Sequence, residues 1–177
     1  IQSTGIENVM VNAFDTDNTT DGTVLDLTLM SGVSKVGVAS GSATGDIKVT
    51  NAKSIVDVSL SNSSGDFNVA YPAGLTSVLL GDQTQNVALA NVADGTLTIA
   101  GVEVVNVSTS LLASTLADLV IDDATTLNIT GDKDLTISAD IDFLDTTSAA
   151  ALAIDGTIDA SEFTGKLTIA PDAVDSM

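Results

Sequence analysis

Asp46-Ile47-Lys48-Val49 returns as Asp66-Phe67-Asn68-Val69. Each phrase sets an acid ahead of an apolar–polar–apolar alternation. On an extended chain that alternation sends both apolar residues to one face. A second apolar segment follows at one fixed distance, at Ile55 after Ile47, at Leu75 after Phe67 and at Leu135 after Leu127. A strand–turn–strand unit that recurs roughly every 20 residues is the signature of one rung of a β-solenoid.

The same alternation runs through the chain. Val9–Val11, Val36 and Val38, Val87–Leu89, Leu97–Ile99, Val104–Val107, Leu127–Ile129 and Leu167–Ile169 all read as short strands bounded by Gly, Asn, Asp or Ser. The expected fold is therefore all-β: an irregular β-solenoid, a β-helix-like stack of short strands. It forms a single β-rich repeat domain over residues 1–177 and is expected to be a fragment of a larger protein. The register drifts, since Leu97 and Leu127 stand farther apart than Ile47 and Phe67. A β-sandwich of ordinary hairpins is the competing arrangement. Leu112, Leu116 and Leu119 follow i, i+4, i+7 behind Ser110, a pattern that predicts one short helix within 110–120. Ala149–Ala153 is a second helical candidate.

Composition supports thin layers. Hydrophobic residues make up 44% of the 177, yet aromatics only 3%, so a core would be built from Val, Leu, Ile and Ala. The formal net charge is −19, from 24 acids against five lysines. Such a surface repels nucleic acid. No apolar run is long enough to cross a bilayer, so membrane insertion is not expected. The chain has no cysteine and no histidine. Disulfides, thiol chemistry and the usual general base are absent with them. Arginine is missing too, which removes the clamps that an enzyme acting on acidic sugars needs. An enzyme is not expected.

A longer phrase also recurs. Gly5-Ile6-Glu7-Asn8-Val9-Met10-Val11-Asn12 is echoed by Gly101-Val102-Glu103-Val104-Val105-Asn106-Val107-Ser108. Glu7 and Glu103 are read as turn residues capping backbone amides rather than as ligands. This Gly-Ile/Val-Glu phrase resembles Gram-negative S-layer proteins of the type I-secreted, RTX-associated class. Asp159-Ala160-Ser161-Glu162-Phe163-Thr164-Gly165-Lys166-Leu167-Thr168-Ile169 resembles the segment that precedes glycine–aspartate repeats in the same proteins. The resemblance implies an extracellular, cell-surface subunit that self-assembles with calcium. It also implies lattice neighbours of its own kind as partners, with cell-surface polysaccharide or lipopolysaccharide engaged through other regions. The chain departs from the family in lacking a G-G-x-G-x-D array.

Calcium prefers hard oxygen ligands, so the clustered aspartates are the metal candidates. Asp15-Thr16-Asp17-Asn18-Thr19-Thr20-Asp21-Gly22 alternates oxygen-bearing side chains and ends in glycine. Asp122 with Asp123, Asp132 with Asp134, and Asp140 with Asp142 and Asp145 are further candidates. The competing reading of each is a solvated turn. The four Asn-x-Ser/Thr triplets, at Asn18, Asn62, Asn106 and Asn128, are read as a by-product of a Thr/Ser-rich composition.

The functional expectation is a structural subunit of a self-assembling surface layer whose lattice forms with calcium. The alternatives are a repeat domain of a type I-secreted adhesin or biofilm protein and, disfavoured by the missing side chains, a β-helix carbohydrate-active enzyme.

Overall fold

A computed structural model describes residues 3–14, 22–71, 75, 82–145, 152–153 and 156–170. Among them there is no helix; the chain winds as a stack of parallel strands. The largest sheet has seven: β2 (Asn8–Ala13), β5 (Lys35–Gly41), β7 (Asp57–Ser61), β9 (Thr84–Ala90), β11 (Val104–Thr109), β14 (Thr126–Gly131) and β19 (Thr157–Asp159). We call it the long face. At ordinary strand spacing its seven strands extend about 29 Å along the stack. The second sheet has six: β3 (Thr23–Asp26), β6 (Ile47–Thr50), β8 (Phe67–Ala70), β10 (Leu97–Ala100), β13 (Leu119–Asp122) and β16 (Ile141–Asp142). A third face is formed by β12 (Ser114–Leu116), β15 (Leu135–Ile137) and β20 (Leu167–Ile169). Two small pairs complete the structure: parallel β1 (Ser3–Thr4) with β4 (Met30–Ser31), and antiparallel β17 (Leu144–Asp145) with β18 (Leu152–Ala153).

The offset between the Asp46 and Asp66 phrases is one turn of this coil, for Ile47 lies directly beside Phe67. Other turns are longer: Phe67 neighbours Leu97, and Leu97 neighbours Leu119. The extra length sits between strands, so apart from one shift between β2 and β5 after Val11 the register within the sheets is kept. It has to be, because a slip by a single position would turn every apolar side chain outward.

Inward residues stack on their own kind. Val36, Val58, Val87, Val107 and Ile129 form one buried column, and Ile47, Phe67, Leu97, Leu119 and Ile141 form another. Branched aliphatic side chains suit this arrangement, since each fills the gap between rungs without the bulk of a ring. That is why 3% aromatic content suffices for a continuous core.

The helix expected within 110–120 is not formed. Leu111 and Leu112 lie in an exposed turn, Leu116 belongs to β12, and Leu119 opens β13. The i, i+4, i+7 spacing arose from two strands flanking a corner. Ser114 disguised the strand alternation: it points inward and is buried, with its Oγ accepting the Val92 N–H at 3.2 Å. Of the second helical candidate, 149–151 lies outside the described residues and Leu152–Ala153 is strand β18. Leu75 lies in a turn, and 72–74 and 76–81 around it lie outside the described residues.

Candidate functional site

Corners are where the acids go. Of the eighteen described Asp and Glu residues, twelve lie outside strands. One column of them runs along the edge at which the chain enters the six-stranded sheet: Asp46, Asp66, Thr96, Asp118 and Asp140 each immediately precede a strand. Asp46 Oδ1 accepts the N–H of Asp66 at 2.8 Å, and Asp66 Oδ1 accepts the N–H of Thr96 at 2.7 Å. Thr96 Oγ1 donates to Asp118 Oδ2 at 3.4 Å, and Asp118 Oδ1 accepts the N–H of Asp140 at 3.1 Å. Asp46, Asp66 and Asp118 thus cap a backbone amide one rung farther along, as an N-cap does for a helix. On another edge Asp134 Oδ1 accepts the Lys166 N–H at 2.9 Å.

The small residue ahead of each member of this column has its own reason. Gly45, Gly65, Gly95, Ala117 and Ala139 form the adjoining column. Gly95 takes φ +93°, and a Cβ there would fall 2.5 Å from the carbonyl oxygen of Gly65. Backbone passes so close to backbone at this bend that the position has room for hydrogen only.

The repeated glutamate phrase is also a corner. Gly5 and Gly101 both have positive φ, 75° and 84°. The carbonyl of Glu7 receives the N–H groups of Ser34 and Lys35, and that of Glu103 receives those of Thr125 and Thr126. The Glu103 carboxylate accepts the Gln83 N–H at 2.6 Å, as its reading as a turn residue requires. The two phrases are equivalent locally but slip by two positions in register. Following the sheet, Asn8 shares a column with Asn106 rather than with Val104.

That column is the second feature. On the outer side of the long face it runs Asn8, Lys35, Asp57, Asn86, Asn106, Asn128 and Asp159. Asn128 Nδ2 donates to Asn106 Oδ1 at 2.9 Å, Asn106 Nδ2 to Asn86 Oδ1 at 2.9 Å, and Asn86 Nδ2 to Asp57 Oδ1 at 3.0 Å. Side-chain amides stacked at strand spacing bond in this way along the stack. The next outward column holds Ser59, Ala88, Ser108 and Thr130. Two shallow concavities of about 420 and 370 Å³ lie over these columns, and both are lined by Asn106 and Thr130. The triplets Asn106-Val107-Ser108 and Asn128-Ile129-Thr130 are therefore ladder elements: an outward amide, an inward aliphatic residue and an outward hydroxyl.

The proposed calcium ligands are dispersed. Asp15, Asp17 and Asp21 lie outside the described residues. Asp132 pairs with Lys133 at 2.7 Å, which holds its carboxyl below the usual range. Asp134 is occupied as a cap, and Asp140 sits in the corner column through its backbone. Asp123 has φ 68° and occupies the bend after β13, as Asn51 and Gly101 do after β6 and β10. Asp122 comes nearest to an electrostatic site. Burial, then the charges of Asp123 and Asp142, raise its pKa, and its Oδ1 is buried without a hydrogen-bond partner. Among the described residues, no three Asp, Glu, His or Cys side chains converge as a metal-binding group.

Sequence reasoning missed Asp46, Asp66 and Asp118 as caps, although the repeated Asp ahead of each apolar pair marked them. No protein-family model matches the chain, and comparison with curated proteins and with solved structures finds no match.

Proposed function

We propose that this chain is a structural segment of a self-assembling surface layer, a rigid rod whose copies are brought together by calcium. The observation that carries the reading is the sorting of charge: twelve of the eighteen described acids lie outside strands, while the outer columns of the long face stay nearly neutral. Those two columns, from Asn8 to Asp159 and from Ser59 to Thr130, carry one lysine and two aspartates.

Rods with acidic edges repel one another across water, and divalent cations at those edges offset the repulsion. The caps explain how the edges stay ordered while so highly charged. Calcium enters this proposal as a bridge between copies, because the described residues assemble no chelating group within one chain. The extracellular location follows from the resemblance of the Gly5, Gly101 and Asp159 phrases to S-layer proteins. Nothing in the fold favours the adhesin reading over this one: the two glutamate phrases are corners of one continuous coil, so their spacing supplies no tandem-domain repeat.

Electron microscopy tests the proposal. Samples dialysed into millimolar calcium should form ordered sheets or bundles that chelator disperses. Isolated particles under both conditions would contradict it.

A further inference from the structure

The long face has the makings of a binding trough. Asn106 donates one N–H along its column and accepts one bond. A carboxamide has two donors and two lone pairs, so one of each is left facing outward. Asn86 repeats this arrangement one strand spacing away, and Asn128, at the end of the run, donates along the column and keeps its side-chain carbonyl free. The neighbouring column of Ala88, Ser108 and Thr130 leaves open space beside the amides, and the two concavities lie side by side with Asn106 and Thr130 lining both. Among the described residues, no aromatic side chain lines either one.

We propose that this trough binds a neutral, hydroxyl-rich glycan chain lying across the amide ladder. A sugar hydroxyl both donates and accepts, and adjacent hydroxyls on one ring match the outward N–H and carbonyl of a carboxamide. Charge narrows the occupant further. The middle of the trough, from Asn86 to Thr130, is uncharged, while the chain as a whole carries −19. A polyanion would be repelled by the edges, whereas an uncharged polyol meets no penalty. Asp57 with Lys35 at one end, and Asp159 with Glu162 at the other, add charged hydrogen-bonding groups at the limits of the trough. Without an aromatic stacking platform, recognition rests on hydrogen bonds, so binding is expected in the millimolar range. The inference concerns one chain and stands whether or not copies assemble.

The test is an NMR titration of the chain in chelator with cellohexaose, maltohexaose and an oligogalacturonate, following the side-chain amides of Asn86, Asn106 and Asn128. At least one neutral hexasaccharide should give saturable shifts at these amides, and the acidic one should give none. Thr130→Arg, which fills the trough, should weaken binding about tenfold. Thr98→Arg, an outward position on the six-stranded sheet, should leave it unchanged. Circular dichroism verifies that both variants keep the fold, and the wild-type titration decides the question if Thr130→Arg does not. Three results would overturn the proposal: no saturable shift with either neutral sugar, equal binding by Thr130→Arg, or shifts of the same amides on raising protein concentration without sugar. The last would assign the face to a second copy of the chain.

Discussion

Asp66 Oδ1 receives the backbone N–H of Thr96 across 2.7 Å, although the two residues are 30 positions apart in the chain. The longest step between neighbours in the six-stranded sheet, from Phe67 to Leu97, begins and ends at this contact. The cap keeps the two strands in register across this longer step. A second contact joins residues of the same turn. Tyr71 donates to the side-chain carbonyl of fully buried Gln85, whose Nε2 reaches the Val56 carbonyl at 2.6 Å. Burial drives the Tyr71 pKa up to about 12, so the phenol remains a donor throughout the neutral range.

Removing that corner cap should cost stability without changing the fold. Asp66→Ala leaves the Thr96 N–H without its acceptor and is expected to destabilise the chain by about 1 kcal/mol, the usual cost of a lost cap. Asp66→Asn keeps an acceptor and should recover most of the loss. Urea titration of the three proteins reads both effects. Equal midpoints for Asp66→Ala and the parent would mean that the carboxylate is an ornament of the surface.

Gly95→Ala should be more damaging. It imposes a side chain at φ +93° and places a Cβ against the Gly65 carbonyl. Overpacking combined with backbone strain predicts a loss of roughly 2–4 kcal/mol. Ala117→Ser, at the same corner on the next strand, should cost less than half as much. A thermal scan that ranks the two substitutions the other way would refute the close approach at Gly95.

The amide ladder is expected to contribute through continuity. Asn106→Ala removes two side-chain bonds at once and should destabilise by about 1–2 kcal/mol. Asn128→Ala interrupts one of these bonds and should cost about half of that. Because Asn106 and Asn128 share a bond, the double substitution should cost less than the two single effects combined. Strict additivity would show that the stacked amides do not interact.

Two aspartates should pull stability in opposite directions with pH. Bonds from the Thr28 hydroxyl, the Asn51 amide and the Thr28 N–H lower the Asp26 pKa to about 2. Its contribution is therefore complete above the unfolded value of 3.8 and fades as pH falls toward 2. Asp122 is raised, so its contribution is complete below the unfolded value of 3.8 and is lost as pH rises through the folded value. Asp122→Asn should accordingly stabilise the protein at neutral pH by roughly 0.5 kcal/mol, the scale of a partly screened charge. That gain should vanish near pH 3 on the same reasoning. Denaturation curves at the two pH values give the comparison, and a stabilisation independent of pH would contradict the charge argument.

Much of the coil could be read from residues alone. The Asp46 and Asp66 phrases define one rung because no insertion separates them. The strands that open at Asp57, Thr126 and Leu135 carry intact apolar alternation, and those that open at Lys35, Thr84 and Val104 keep two inward aliphatic residues two positions apart. β12 and β13 escape notice because Ser114 occupies an inward position. Losing them produces the apparent drift: Leu97 is compared with Leu127, which lies on a different sheet, when its partner is Leu119. The site is less legible. Asn106 and Asn128 look like chance triplets until the parallel register brings them side by side, and an inter-rung bond joins residues a full turn of the coil apart. Carboxylates that cap a backbone amide look the same in sequence as carboxylates free to bind calcium.

The central claim is that calcium joins these acidic rods, and static light scattering tests it most directly. The chain would be measured in millimolar calcium, in chelator, and in sodium chloride matched to the calcium sample in ionic strength. The account predicts a rise in mass with calcium that chelator reverses and sodium does not reproduce. A monomer of constant mass in all three solutions would contradict it.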